Sequence, residues 1–202
     1  LGHLLTEGRL AVDRVVALAG PVVHAPCLVK TRLGASILEL TAGEVDGSVE
    51  ARLVSGSALF GHAAGDEVFG YLNRYHNQVT ALAEGREREL FGWLTPGADR
   101  FSTVRAFLSS WLPKKTFALT TSTHGSHRAM VPIGMYERVM PLDVLPTFLL
   151  RSLVVGDVEQ AEKLGALELA EEDLALCSFV SPGKEDYGEA LRNVLTTIWK
   201  EG

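Results

Sequence analysis

Apolar positions along this chain change rhythm partway through. From 12 to 61 they come in short branched runs, RVVALAG at 14–20, CLVKTRLG at 27–34 and ARLVSGSALFG at 51–61, that alternate well enough to predict strands. Gly20-Pro21 turns the first run into the second, which predicts a hairpin. Ser36 is placed to cap a short helix over 37–40 that ends before Gly43, and 51–61 reads as strand, glycine kink and strand. Hairpin, short helix and further strands are the order of a β-grasp. Residues 66–80 (DEVFGYLNRYHNQVT) continue in a looser period, predicting a strand or an extended crossing.

From 101 the period becomes helical. In FSTVRAFLSSWLPKKTF (101–117), Val104, Phe107, Leu108, Trp111 and Leu112 fall at i, i+3, i+4, i+7 and i+8, with Pro113 as the stop and Lys114 and Lys115 beyond it. A core-facing helix is the simpler reading of that stripe. The Ser/Thr-rich loop at 120–126 leaves open an interface with a partner helix or a membrane surface. Pro141 is read as opening a helix with a buried stripe of Leu145, Phe148, Leu149 and Leu153, tolerating Pro146 only in its first turn and ending at Gly156. Asp157, with Gln160 at the capping-box position, starts a short helix that ends at Gly165. EEDLALCSFV (171–180) leads to Pro182, and a last helix buries Tyr187, Leu191, Val194, Leu195 and Ile198. The expected class is α+β, with four of the helices around one core.

Residues 129–199 also contain a repeat. Met140-Pro141 and Ser181-Pro182 are 182 − 141 = 41 residues apart, each proline read as opening a helix. Counting back with the ferredoxin spacing C-x2-C-x2-C-x3-C-P places the first four ligand positions on Met130, Ile133, Tyr136 and Met140. The second four are Glu171, Leu174, Cys177 and Ser181, and Gly134 follows the second position of the first run. One cysteine in eight positions cannot hold an iron-sulfur cluster, so the expectation is a two-cluster scaffold in which packing has replaced ligation.

Composition narrows the partners. Acidic residues exceed basic ones by 25 − 19 = 6 in 202 residues, and Lys and Arg form no long block, which argues against nucleic acid. An apolar share of 47% is ordinary for a globular chain, and no apolar run approaches the roughly 20 residues that span a bilayer. Leu1 opens the sequence without a signal-peptide pattern, as expected of a piece of a longer protein. Cys27 and Cys177 stand far apart, which suits a reducing compartment. Arg74, Tyr75, His76 and Asn77 form a polar-aromatic cluster that could orient a ligand or partner, although turn chemistry accounts for it as well. The run AEGREREL at 83–90 reads as a solvated face. His124 and His127, spaced H-x2-H, lack neighbouring ligands to complete a zinc site, so no metal is assigned; Arg128 beside them could contact an anion.

The phrases RVVALAGP, VKTRLGA, VSGSALFG, YLNRYHNQV and HRAMVPIGMYERVMPLDVLPTFLLR, in this order, resemble the A subunits of the sodium-translocating NADH:quinone reductases. The resemblance implies the C-terminal part of such a protein: a remnant of a preceding domain at 1–11, a β-grasp of the soluble-ligand-binding (SLBB) type at 12–65, a mixed connecting region at 66–128, and a helical domain at 129–202. The last is similar to the two-cluster domain of the Rnf complex C subunit, without its clusters. It further implies a peripheral place on the cytoplasmic face of the bacterial inner membrane. There a six-subunit complex passes electrons from NADH to ubiquinone while pumping sodium, and the quinone is placed near the contact with the membrane-embedded B subunit. The resemblance gives this segment no cofactor; NADH, ubiquinone, flavins and the iron-sulfur centre belong to the whole complex. No catalytic residue maps here, and the expected role is docking and shaping of the quinone site. The alternative is a redox module whose Arg74, Tyr75, His76 or Trp111 meets quinone directly. A free-standing small-ligand β-grasp is a third reading, against which the helical repeat argues.

Overall fold

The structure is a computed structural model and describes every residue except 1, 67, 88–91, 113–114 and 202. It divides into two compact units, Leu1–Ser122 and Thr123–Gly202.

The first unit opens with an exposed helix α1 (Gly2–Glu7), followed by the strands β1 (Asp13–Ala19) and β2 (Cys27–Arg32), the helix α2 (Ile37–Thr41), and the strands β3 (Ala51–Gly56), β4 (Gly61–Ala63) and β5 (Gln78–Ala83). The five strands form one sheet in the order β2-β1-β5-β3-β4, with β1 and β5 parallel and the other pairs antiparallel. This is a β-grasp. The hairpin forms as its alternation predicts, with Val16 and Leu18 turned inward onto Ile37, Val79 and Ala81. Burying each such large side chain contributes about 1.5–3 kcal/mol. Ser36 caps α2 by accepting a hydrogen bond from the Glu39 N–H at 3.4 Å. Gly20 is required where β1 ends, because a Cβ there would stand 2.0 Å from the Ala81 carbonyl oxygen.

Three expectations change here. The second half of 51–61 is not a strand at 58–60; those residues bend, and pairing resumes only at β4. The stretch 66–77 is mostly turns. Asp66 accepts from the Val68 N–H at 3.1 Å, Tyr71 bridges Ser36, and regular strand begins only at Gln78. Because β5 lies in the middle of the sheet, the grasp takes its central strand from beyond residue 65.

The amphipathic helix over 101–117 does not form. Only a single 3-10 turn, Leu108–Trp111, is present, and Val104, Leu108, Trp111 and Leu112 are all exposed. The serines tie the turn to the preceding chain: Ser109 donates to the Arg100 carbonyl, nine residues back, at 2.5 Å and Ser110 to the Phe107 carbonyl at 2.8 Å. No side chain caps the turn at Phe107, and so short a helix is marginal without caps and packing. The expected stop at Pro113-Lys114 and residues 88–90 of the charge run lie outside the described residues. Two described charges of that run pair at the start of β3, Glu84 with Arg52 at 2.7 Å and Arg86 with Glu50 at 2.5 Å.

The second unit contains α3 (Pro146–Val155), α4 (Val158–Lys163), α5 (Ala175–Val180) and α6 (Tyr187–Glu201), with 3-10 turns at Ala166–Glu168 and Glu171–Leu174. Gly156 and Gly165 close helices in the left-handed conformation, and Asp157 caps α4 by accepting from the Gln160 N–H at 3.0 Å. Neither repeat proline opens a helix. A residue before proline avoids helical backbone, so Leu145 stays out and Pro146 becomes the first residue of α3. After Pro182, Lys184 adopts a positive φ of 64°, and Asp186 caps α6 by accepting from the Gly188 and Glu189 N–H groups at 3.1 and 3.3 Å. The offset survives, since the helix starts are 187 − 146 = 41 residues apart. On α3 the buried face is Leu149, Leu150 and Leu153, while Leu145 and Phe148 are exposed, so the predicted stripe is rotated. On α6, Tyr187, Leu191 and Val194 are buried, with Leu195 and Ile198 packed partly against them. Among the described residues no helix is long and apolar enough to cross a membrane.

Candidate functional site

The eight positions counted from the ferredoxin spacing meet different fates. Tyr136, Leu174, Cys177 and Ser181 are buried, and Met130 and Met140 pack partly against the same core. Two depart from the expected infilling: Ile133 is 53% exposed, and Glu171 turns aside into an ion pair with Arg192. In two-cluster ferredoxins the fourth ligand of one run serves the cluster of the other. The structure places Tyr136, third in the first run, beside Ser181, fourth in the second, with their hydroxyls 3.5 Å apart.

Tyr187, the first residue of α6, completes this group by donating to the Tyr136 hydroxyl at 2.7 Å, and the two rings meet edge to face at 5.5 Å. Ser181 also accepts from the Glu185 N–H at 3.3 Å. Burial, followed by the hydrogen bond with Tyr136, pushes the Tyr187 phenol well above its ordinary range. Burial, with a smaller contribution from the Glu137 charge, raises the Cys177 thiol to about 11. A thiol held protonated is a poor nucleophile at neutral pH. Chemically the group offers packing and hydroxyl hydrogen bonds. The serine and cysteine were visible in the spacing; Tyr187 was visible only as an apolar helix position.

The His124–Arg128 loop is tied down in the same unit. His127 Nε2 lies 2.8 Å from Glu185 Oε2, and the Arg128 N–H donates to the Gly183 carbonyl at 2.8 Å. Among the described residues no three His, Cys, Asp or Glu side chains come together as a metal site.

In the first unit, Arg74 and Tyr75 occupy a turn, exposed, with the Tyr75 N–H donating to Asn73 Oδ1 at 3.3 Å. His76 is held from below: its Nδ1 is 2.9 Å from Ser55 Oγ, which also accepts from the Asn73 N–H at 3.1 Å, and its ring lies 5.6 Å from that of His62. The Asn77 carbonyl accepts from the Ala17 N–H at 2.9 Å. This geometry is the turn chemistry that competed with a ligand site. Ser55, His62 and Asn73 support the turn and had no signal in the sequence beyond their polarity. Trp111 is 78% exposed on the short turn described above.

Comparison with known proteins bears on these features together. Residues 15–65 match the family described as NQRA C-terminal domain, NQRA_SLBB, which covers the hairpin, α2, β3 and β4. Over 202 residues the chain is 57% identical to the A subunit of the Na(+)-translocating NADH-quinone reductase of Hahella chejuensis, covering all of this chain and 45% of that one. The chain matches the C-terminal part of this A-subunit family. The same protein of Yersinia pestis is 55% identical over 202 residues, and that of Cellvibrio japonicus 58% over 205. All of the chain is matched in each case, yet it spans only 45% of those A subunits.

Proposed function

We propose that this chain forms the docking part of the A subunit of a sodium-translocating NADH:ubiquinone reductase. It is peripheral, on the cytoplasmic face of the inner membrane, and it binds other subunits, chiefly the membrane-embedded B subunit. It shapes the quinone site and carries no electrons itself; the helical unit is a two-cluster ferredoxin scaffold whose ligand positions have been given over to packing. The observation that carries this reading is the Tyr136–Ser181 contact, completed by Tyr187. Two positions that would serve one cluster meet through hydroxyls in a filled core. Cys177, the one thiol left among the eight positions, is buried and held protonated. Iron and acid-labile sulfide analysis of the intact A subunit, purified anaerobically, is expected to find neither. Stoichiometric iron and sulfide would overturn the reading.

The exposure of Tyr75 and Trp111 favours the second reading, a module that touches ubiquinone directly. Quinone titration of the assembled reductase carrying Tyr75→Ala and Trp111→Ala decides it. An unchanged KM for quinone leaves docking alone; a raised KM with the variant still bound in the complex supports direct contact.

A further inference from the structure

Strand β2 is an outer strand of the sheet and is bonded to β1 alone among the described residues. The register says which of its backbone groups are used. The Ala17 N–H donates to Asn77, so the polar groups of Ala17, and by alternation those of Val15 and Asp13, turn away from β2. The ladder therefore runs through Cys27, Val29 and Thr31, opposite Leu18, Val16 and Arg14, and the Leu33 N–H extends it to the Val12 carbonyl at 2.8 Å. The N–H and C=O groups of Leu28 and Lys30 and the N–H of Arg32 point outward, while the Arg32 carbonyl accepts from the Ala35 N–H at 3.1 Å.

The side chains of those three residues share the sheet face away from the core. Leu28 is 74% exposed and Lys30 and Arg32 are exposed with it, while Val29 turns to the other face and packs on the core. Beside the strand runs a groove of about 630 Å³, bordered by Thr31 and Arg32 on one side and Ser36, Leu40 and Tyr71 on the other. The chain as a whole has a net charge of −6, yet this edge presents two cations two residues apart.

We propose that β2 accepts, as a sixth strand, an extended acidic segment of another subunit. This rests on the docking reading and names where docking occurs. Main-chain bonds form at Leu28, Lys30 and Arg32, and the partner's side chains alternate between the two faces. Carboxylates two residues apart meet Lys30 and Arg32, an apolar residue covers Leu28, and the residue between them turns toward the groove. Asp13, opposite Arg32 in the register, shares that face, so the partner's carboxylate replaces Asp13 at Lys30. Lys30 already pairs with Asp13 at 3.5 Å, but both side chains are 75% exposed and the pair is easily exchanged.

Hydrogen exchange with residue-level resolution, on the intact A subunit free and in the assembled reductase, reads the signature. The amides of Leu28, Lys30 and Arg32 should exchange at least about tenfold more slowly in the reductase, while Val29 and Thr31 are slow in both states. If other parts of the protein gain protection and these three do not, the edge lysine merely guards against pairing; the proposal falls and docking stands. If nothing gains protection, both fall. Lys30→Pro removes only an outward N–H, so the variant should melt like the parent yet be retained in the reductase less firmly. Thr31→Pro, which cuts the native ladder, calibrates misfolding. Lys30→Glu with Arg32→Glu should weaken retention likewise. Full retention of a folded Lys30→Pro variant would overturn the proposal.

Discussion

Helix α6 and the segment 101–117 carry similar apolar spacing in the sequence, and only one of them is a helix. The spacing in α6 is supported at its start by Asp186, whose carboxylate accepts two N–H groups, and along its length by a core that buries Tyr187, Leu191 and Val194. The other segment has a phenylalanine at the corresponding start, serines that bond to carbonyls of the preceding chain, and exposed Val104, Leu108, Trp111 and Leu112. Period alone proposes a helix; a cap and something to pack against decide it.

The largest effect that separates the two is core truncation. Leu191→Ala should cost about 2–5 kcal/mol, and Leu108→Ala no more than about 0.5 kcal/mol, by chemical denaturation. Equal losses would erase the contrast. The next concerns Cys177 and pH. Its thiol is raised from an ordinary 9.0 to about 11 in the fold, so its contribution is fully present below pH 9 and lost as pH rises through about 11. Two pKa units correspond to a loss on the order of 2–3 kcal/mol. Cys177→Ala should flatten stability in that window; an unchanged alkaline slope would show that other groups cause it. Asp186→Ala should cost about 1 kcal/mol and fray the first turn of α6, read by melting and by amide exchange at Gly188 and Glu189. Tyr187→Phe keeps the ring and removes the donor to Tyr136, for about 1 kcal/mol or slightly less. A double variant with Tyr136→Phe that costs no more than Tyr187→Phe would show that the two hydroxyls act as one unit.

Much of the fold was legible because its signals are local. The hairpin came from alternation and Gly20-Pro21, α2 from Ser36, and the ends of α3 and α4 from Gly156 and Gly165. What the sequence did not show depended partly on distant partners and partly on local caps. Nothing near Gln78 says that β5 runs parallel to β1 in the middle of the sheet, because that pairing is non-local. The start of α3 lies five residues beyond Pro141 because Pro146 is itself the helix opener and keeps Leu145 out. The exposed faces of Leu145 and Phe148 could not be told from the buried Leu149 and Leu150 by apolarity alone. At the candidate site, counting ligand positions identified Tyr136 and Ser181 one at a time; only the fold puts them in contact and adds Tyr187. The turn at Arg74–Asn77 was legible as chemistry of either kind, and Ser55 beneath His76 is what gives it a structural role.

The central claim is that the helical unit of this chain contributes shape and not electron transfer, and Cys177 is where that claim is most exposed. In the assembled reductase carrying Cys177→Ala, with the variant protein shown to be retained, NADH-to-quinone turnover should match the parent enzyme. Turnover that collapses while the variant remains bound and folded would contradict it.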